Sequence, residues 1–335
     1  MPLVNRQIVL DRIPEGRLTV GHFRSIVGER PRPADGEVLV RNLYVSLDAA
    51  NRAWMQGATY RSALQPDQVM AAGAIAEVVE SRAPSLSPGD VVFGDIGWQE
   101  YAARSASELI RMPKLRPLTH LLSVYGVAGL TAYFGLLECG APKPGDTVVV
   151  SAAAGSVGSI VGQIARIMGC CAVGIAGGEE KSRWLTDTLG FHAAVDYRSP
   201  DFKRQLREAC PSGIDVYFDN VGGDVLEACL FAMNMHGRIV NCGAISQYDG
   251  EAPRHGPRGI PGLIVTRRLT LRGFIVSDFD DHRDRALANL TQWVDQGRLK
   301  VHEEVLDGLD ALPAGLVGLL NGDNRGKRMV RVGVE

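Results

Sequence analysis

The chain has 335 residues, more than one typical domain needs and suited to two. Its formal net charge of −2 leaves no electrostatic footprint for nucleic acid or an anionic membrane surface, and no apolar run is long enough to span a bilayer. Met1 to Leu10 lacks a signal-peptide core. The six cysteines (Cys139, Cys170, Cys171, Cys210, Cys229 and Cys242) are scattered without a CxxC pair, which reads as reduced thiols in a cytoplasmic protein.

Residues 1–121 read as β-rich. Glu37 to Val45 alternates as a half-buried strand does, Gly73 to Glu80 is a second strand, and the turn Ser87-Pro88-Gly89-Asp90 feeds Val91-Val92-Phe93. Trp98 to Ala103 gives another short strand. Many short strands with Gly/Pro turns predict a partly closed barrel. The stretch 47–72 between them is loop-like and carries Trp54, Met55, Tyr60 and Met70. From Leu121 to Glu138 the periodicity is helical, and residues 122–297 then alternate strand and helix, which implies a doubly wound parallel sheet. In this region Ala193–Tyr197, Ile214–Asp219, Arg238–Cys242 and Leu269–Val276 read as strands. Asp201–Cys210, Asp224–Met235 (ended by Gly237) and Asp281–Gln296 read as helices. Residues 298–335 end in a strand-like Lys327–Val332 that is expected to rejoin the first domain.

The most informative stretch is Thr147 to Arg183. A β-branched run, Thr147-Val148-Val149-Val150, stops at small residues, and Ala153-Ala154-Gly155-Ser156-Val157-Gly158 fills the frame of a dinucleotide-binding turn with Ala in the first Gly position. Ile160, Ile164 and Ile167/Met168 continue as one helical face, Gly169 is a C-cap, and Cys171 to Ile175 is the second strand. Gly155 lets backbone approach a pyrophosphate, Gly158 permits close packing of the helix, and the free N–H groups of the first turn face the phosphates. An NAD site usually places an acid at the tip of the second strand. Here the tip is Ala176-Gly177-Gly178, with Lys181 and Arg183 shortly after, which favours the 2′-phosphate of NADPH. The competing reading gives Glu179 or Glu180 the acidic role.

Two further strand ends carry candidate site residues. Asp219-Asn220-Val221-Gly222-Gly223 would bring Asn220 near the cofactor. Asn241-Cys242-Gly243-Ala244-Ile245-Ser246-Gln247-Tyr248 offers Gly243 for close approach of a nicotinamide and Tyr248 for the reacting substrate. No zinc site is expected: Val45-Ser46-Leu47-Asp48 and Val69-Met70-Ala71-Ala72-Gly73 hold no thiolate or imidazole, and the seven histidines show no ligand spacing. Pro253, Pro257 and Pro261 suggest a stiffened lid.

Together the segments SAAAGSVGSIVGQIA, GIDVYFDNVGG, IVNCGAISQY and GDNRGK resemble the zinc-independent medium-chain reductases, in particular the leukotriene B4 12-hydroxydehydrogenase / prostaglandin reductase / alkenal double-bond reductase family. The resemblance implies an α/β fold, a Rossmann doubly wound parallel sheet plus a β-rich GroES-like partial barrel. It also implies a homodimer and NADPH-dependent reduction of the C=C bond of α,β-unsaturated ketones and aldehydes. Carried over by position, Gly155, Ser156, Val157 and Gly158 hold the pyrophosphate, and Gly178, Lys181 and Tyr197 the 2′-phosphate side. Asn220, Cys242, Gly243, Ala244, Ile245 and Ser246 line the nicotinamide half, with Phe274, Ile275, Val276 and Asn324 completing the site. Arg52, Trp54, Tyr60 and Tyr248 belong to the substrate pocket, Tyr248 as the catalytic residue. The family often has Asp-Pro-Tyr-Met-Arg where this chain has Asp48-Ala49-Ala50-Asn51-Arg52, so Ala50 replaces a pocket tyrosine. A quinone reductase and a non-catalytic NADPH-binding protein are the alternative readings.

Overall fold

The computed structural model describes residues 4–249, 256–258 and 260–334. Six parallel strands form one sheet in the order Ala193–Asp196, Cys171–Ala176, Thr147–Val150, Ile214–Asp219, Met233–Asn241, Thr270–Gly273. The winding reverses between Thr147–Val150 and Ile214–Asp219, which leaves a crevice at their carboxyl ends. All four residues of the Thr147–Val150 strand are buried, because helices cover both faces. Strand alternation decides which core each side chain enters. Val148 and Val150 pack with Ile160, Ile164 and Leu290, while Val149 packs with Val173, Ile175 and Leu206 on the opposite face.

The second sheet has seven strands and is mostly antiparallel. Glu37–Ser46 is its hub, pairing with Gly73–Ser81 on one side and with both Tyr101–Ser105 and Lys327–Arg331 on the other. Val91–Asp95 and Ile110–Arg111 extend it beyond Gly73–Ser81, and Glu303–Asp307 flanks Lys327–Arg331. The C-terminal strand thus sits in the sheet built by the first hundred residues. A separate hairpin, Val4–Leu10 with Phe23–Glu29, packs alongside, with Ile8 and Leu10 in the core under the barrel.

Several boundaries differ from the sequence reading. The helix expected to run to Met235 covers Gly223–Ala232, and Met233 already begins the next strand. Met233 is buried and paired with Ile214, and that tertiary pairing overrides local helix propensity. The expected helix 121–138 is α-helical only over Val127–Phe134, preceded by a 3-10 turn at Leu118–Leu121 and widened into a π-helix over Gly135–Gly140. The strand expected from Leu269 to Val276 is Thr270–Gly273, and that expected from Trp98 is Tyr101–Ser105. In the stretch read as a loop, Ala50–Gln56 is a helix. Of the lid expectation, 250–255 and 259 lie outside the described residues, and Pro261 lies in the helix Ile260–Arg267.

A polar latch ties the barrel sheet to the start of the second domain. Glu303 accepts hydrogen bonds from Ser123 Oγ and, at 3.0 Å, from His120 Nδ1. Burial alone would raise the Glu303 carboxyl, but hydrogen bonds from His120, Ser123 and Thr119 outweigh it, and the net pKa lies below the ordinary value. A carboxylate with a depressed folded pKa stabilises fully above its unfolded pKa and loses that contribution as pH falls through the folded one. Glu303→Gln is therefore expected to cost about 1–2 kcal/mol at pH 7 and to flatten the loss of stability of the wild type below its ordinary carboxylate pKa. Urea midpoints measured from pH 7 down to pH 3 check this; a variant curve parallel to wild type would refute it.

Candidate active site

A cleft of about 520 Å³ lies at the crevice, walled on one side by the parallel sheet and on the other by Asp48–Ala50, Arg17 and the segment from Leu319 to Asn324. Its floor is the turn after Thr147–Val150. Ala152 sits in the left-handed region at φ 48°, and its carbonyl accepts the Gly155 N–H at 2.9 Å. A Cβ on Gly158 would stand 2.4 Å from that same carbonyl oxygen, so only glycine lets the helix Ser156–Ile167 start against the turn. The amides of the helix's first turn have no intrahelical acceptor, and Gly155, Ser156, Val157 and Gly158 all line the cleft.

Two cations meet at the end beyond the second strand. Lys181 donates from Nζ to the Gly322 carbonyl, and burial, helped by the charge of Arg198, pushes its pKa down. Arg198 stands with its guanidinium carbon 5.6 Å from the centre of the Tyr197 ring and donates from Nε to the Tyr197 hydroxyl at 3.4 Å. A Cβ on Gly322 would lie 4.0 Å from both Lys181 Nζ and the Arg198 guanidinium, so the two charges converge on one spot. Gly177 leaves space there, since a Cβ would stand 2.8 Å from Arg198 Nε. Gly177, Lys181, Tyr197 and Arg198 line the cleft, whereas Gly178 serves as the positive-φ start of the short helix Glu179–Arg183. Glu179 pairs with Arg183 and Glu180 with Arg325, and neither carboxylate lines the cleft.

At the other end two strand tips are laced together. Asp219, 1% exposed, accepts from Ser151 Oγ, Tyr217 Oη and the amides of Val221 and Gly222, which fixes the turn carrying Asn220. Asn220 donates from Nδ2 to the Ser151 carbonyl at 2.7 Å. The amides of Cys242 and Gly243 donate to Asp219 O, that of Ile245 to Asn220 O, and Ser246 to Val221 O. Asn220, Cys242, Gly243, Ile245, Ser246 and Tyr248 line the cleft. Ala244 does not, but its N–H donates to the Tyr248 hydroxyl at 3.1 Å, leaving the phenol's own hydrogen without an acceptor among the described residues. Burial pushes the Cys242 thiol up to about 12, so it stays neutral at neutral pH. Asn324 also lines the cleft, its side-chain amide donating to the Gly326 carbonyl.

Other expected residues fall elsewhere. Phe274 packs against Phe218 and Phe279, and neither it nor Ile275 and Val276 lines the cleft. Trp54 donates to the Tyr60 hydroxyl at 3.2 Å, and neither lines the cleft. Arg52 is 1% exposed and sits behind the wall. It pairs with Asp249 at 3.1 Å and donates to the carbonyls of Gly16 and Pro14. Residues missed by sequence reasoning are Arg17, Asp48, Arg198 and Leu319–Gly322. Arg198 had a signal, since it follows the tip of the third parallel strand, where such sheets place ligand contacts. Asp48 is tied to Lys327 Nζ at 2.5 Å, a pairing 279 residues apart that no local pattern reveals. Among the described residues no group of three or more His, Cys, Asp or Glu is placed to hold a metal ion.

A switch-point crevice with a glycine turn, a helix N-terminus and paired cations defines a dinucleotide-binding oxidoreductase architecture. Residues 6–112 match the family described as N-terminal domain of oxidoreductase, and residues 156–292 that described as zinc-binding dehydrogenase. The chain is 40% identical to the NADPH-dependent curcumin reductase of Escherichia coli over 334 residues, 98% of this chain and 97% of the relative. It is 38% identical to the 2-alkenal reductase (NADP(+)-dependent) of Nicotiana tabacum over 306 residues, 89% and 88% of the two chains. Among solved structures, CurA from Vibrio vulnificus in complex with NADPH superposes with a TM-score of 0.94 at 39% identity, covering 98% of this chain and 100% of that one. The chain belongs to the zinc-independent medium-chain dehydrogenase/reductase family.

Removing one partner of a buried ion pair leaves an uncompensated charge. Asp249→Ala is expected to lower stability by ~3 kcal/mol or more. It should also free the loop around Gly16, read as faster amide exchange at Leu18, whose N–H donates to Asp249 at 2.7 Å.

Proposed function

We propose that this chain is an NADPH-dependent reductase of the C=C bond of α,β-unsaturated ketones and aldehydes. The observation that carries the reading is one continuous cleft with phosphate-type donors at one end and Tyr248 at the other. The residues fit the cofactor. Gly155–Gly158 cradle the pyrophosphate with backbone amides, and Lys181, Arg198 and Tyr197 take the 2′-phosphate. Asn220, Gly243 and the residues around them hold the nicotinamide half. Bound NADPH supplies a hydride to the β-carbon of the substrate.

The protein's part is to position the enone and to hold the negative charge that spreads to its carbonyl oxygen. Tyr248 does this as a hydrogen-bond donor. The Ala244 N–H bonded to its oxygen polarises the phenol, and the phenol's own hydrogen is left for the substrate carbonyl. Pocket-lining Ala49 and Ala50 leave room where a phenol would otherwise stand. Solvent protonates the α-carbon.

The domain division of this reading is 1–121 with 298–335 as the barrel, and 122–297 as the NADPH-binding domain. The working unit is a homodimer. Thr270–Gly273 is an edge strand with its outer side open among the described residues, and exposed Val265, Ile275 and Met235 surround that end of the sheet. No helix among the described residues is long and apolar enough to cross a membrane. The proposed place of action is the cytoplasm, in keeping with the six cysteines standing as free thiols.

The test is NADPH consumption with 3-nonen-2-one. The saturated ketone is the expected product, and an allylic alcohol would overturn the reading. For cofactor choice, the double variant Lys181→Ala/Arg198→Ala is expected to collapse the ratio of NADH to NADPH dissociation constants by ~100-fold, two charge-assisted contacts at about tenfold each. Fluorescence titration of the bound dihydronicotinamide reads this directly.

A further inference from the structure

The cleft carries a charge that the chemistry above does not use. Arg17 lines it, as do Asp48, Ala50, Tyr248 and Asp249, and its side chain has no ion-pair or hydrogen-bond partner among the described residues. These two carboxylates are both committed. Asp48 is paired with Lys327, itself 3% exposed, and Asp249 with Arg52. Lys181 and Arg198, the other cations of the cleft, stand at the far end beside Gly322. Among the described residues that line the cleft, Arg17 is therefore the cation left without a partner.

Arg17 is not simply a residue of a loose loop. Its backbone is gripped on both sides. The Arg52 guanidinium takes the Pro14 and Gly16 carbonyls at 3.4 and 2.9 Å, and the Asp249 carboxylate takes the Leu18 amide at 2.7 Å. Pro14 and Leu18 are buried, while Arg17 between them is exposed to the cleft. A buried charge pair thus holds the loop that presents Arg17, and the same Asp249 follows Tyr248 directly in the chain. The loop backbone that carries Arg17 and the segment that carries Tyr248 are consequently held to one frame.

Resting on the enone reductase reading, we propose that Arg17 is a specificity residue that binds an anionic group, a carboxylate above all, carried by the unsaturated carbonyl substrate at a distance from its reacting C=C bond. A guanidinium matches a carboxylate with two parallel hydrogen bonds. The space left by Ala50 on the same wall gives the intervening chain a path. The substrate class is then an enone or enal acid rather than a neutral enone.

The experiment compares an ω-carboxylated enone, 9-oxodec-7-enoic acid, and its shorter and longer homologues with their methyl esters, using the full-length enzyme and NADPH. In the wild type, kcat/KM for the best acid is expected to exceed that for its ester by tenfold or more, with the difference in KM, and to fall toward the ester value as salt is raised. Arg17→Ala is expected to abolish that ratio, Arg17→Lys to restore part of it, and Arg17→Glu to reverse it. An ester preference in the wild type at every chain length, or an acid-to-ester ratio unchanged in Arg17→Ala, overturns the inference while leaving enone reduction intact. Calorimetric binding of the saturated keto acids and esters to the NADP⁺-loaded protein reads the same contact without turnover. A tighter acid that loses its advantage in Arg17→Ala supports the inference, and equal affinities refute it. If both enones and their acids fail as substrates, the reductase reading falls separately.

Discussion

The cleft exists because the tail of the chain is zipped by its backbone onto the glycine turn. Gly326 and Gly155 form a parallel bridge, and the Gly326 N–H donates to the Ala154 carbonyl at 2.8 Å. Gly326 has no room for a side chain, since a Cβ would lie 2.2 Å from the His302 carbonyl oxygen. Immediately upstream, Gly322 receives Lys181 and Asn324 lines the cleft. Immediately downstream, Lys327 enters the barrel sheet and holds Asp48. Six residues therefore touch the Lys181 end, the turn and the opposite wall in succession. Backbone contacts of this kind tolerate little adjustment, so the width of the crevice follows from them rather than from the side chains facing it.

Charge within the crevice follows a second rule. Among the described residues, the two carboxylates that line the cleft, Asp48 and Asp249, are each matched by a buried cation, Lys327 and Arg52. Such pairs are weak sources of net stability, since desolvation offsets much of the Coulomb gain. They do fix geometry, because each charge accepts or donates several bonds at once. Arg52 bonds one carboxylate and two carbonyls, and Lys327 one carboxylate and one carbonyl. With the acids neutralised, the field in the cleft is set by the cations left over. Those at the Lys181 end suit a phosphate, and the phenol hydrogen-bond donor of Tyr248 suits a charge that is spread over an enolate.

How much of this was legible in the sequence divides along physical lines. The parallel sheet was readable because its strands are buried on both faces and announce themselves as short apolar runs, Thr147–Val150 and Ile214–Asp219 among them. The turn at Gly155–Gly158 was readable because close approach of two backbones demands glycine. The resemblance puts Arg52 in the substrate pocket and Phe274–Val276 in the cofactor site, and none of them is among the residues that line the cleft. Position along a motif does not say which way a side chain turns, and the Arg52 guanidinium turns inward to a charge 197 residues away. The helix Ala50–Gln56 escaped because its caps supply no side-chain hydrogen bond, and its helical state rests on burial of Asn51, Arg52, Trp54 and Met55. Arg17 left no trace because only tertiary bonds to Arg52 and Asp249 bring its loop to the crevice.

Loops ordinarily carry specificity because they are free to vary on a rigid scaffold. The loop at Pro14–Leu18 combines that freedom with scaffold-like anchoring. Its anchors are backbone groups, a carbonyl at Pro14, a carbonyl at Gly16 and an amide at Leu18, so the side chain at position 17 takes no part in holding the loop. Exchange of that side chain alters the charge of the cleft without loosening its wall. The contacts that hold the nucleotide end have no such latitude, since Gly158 and Gly326 each oppose a carbonyl oxygen at a distance no side chain can accept. One crevice thus joins an end fixed by backbone sterics to an end whose chemistry is set by a single replaceable residue, and divergence of substrate within a constant cofactor geometry follows from that asymmetry.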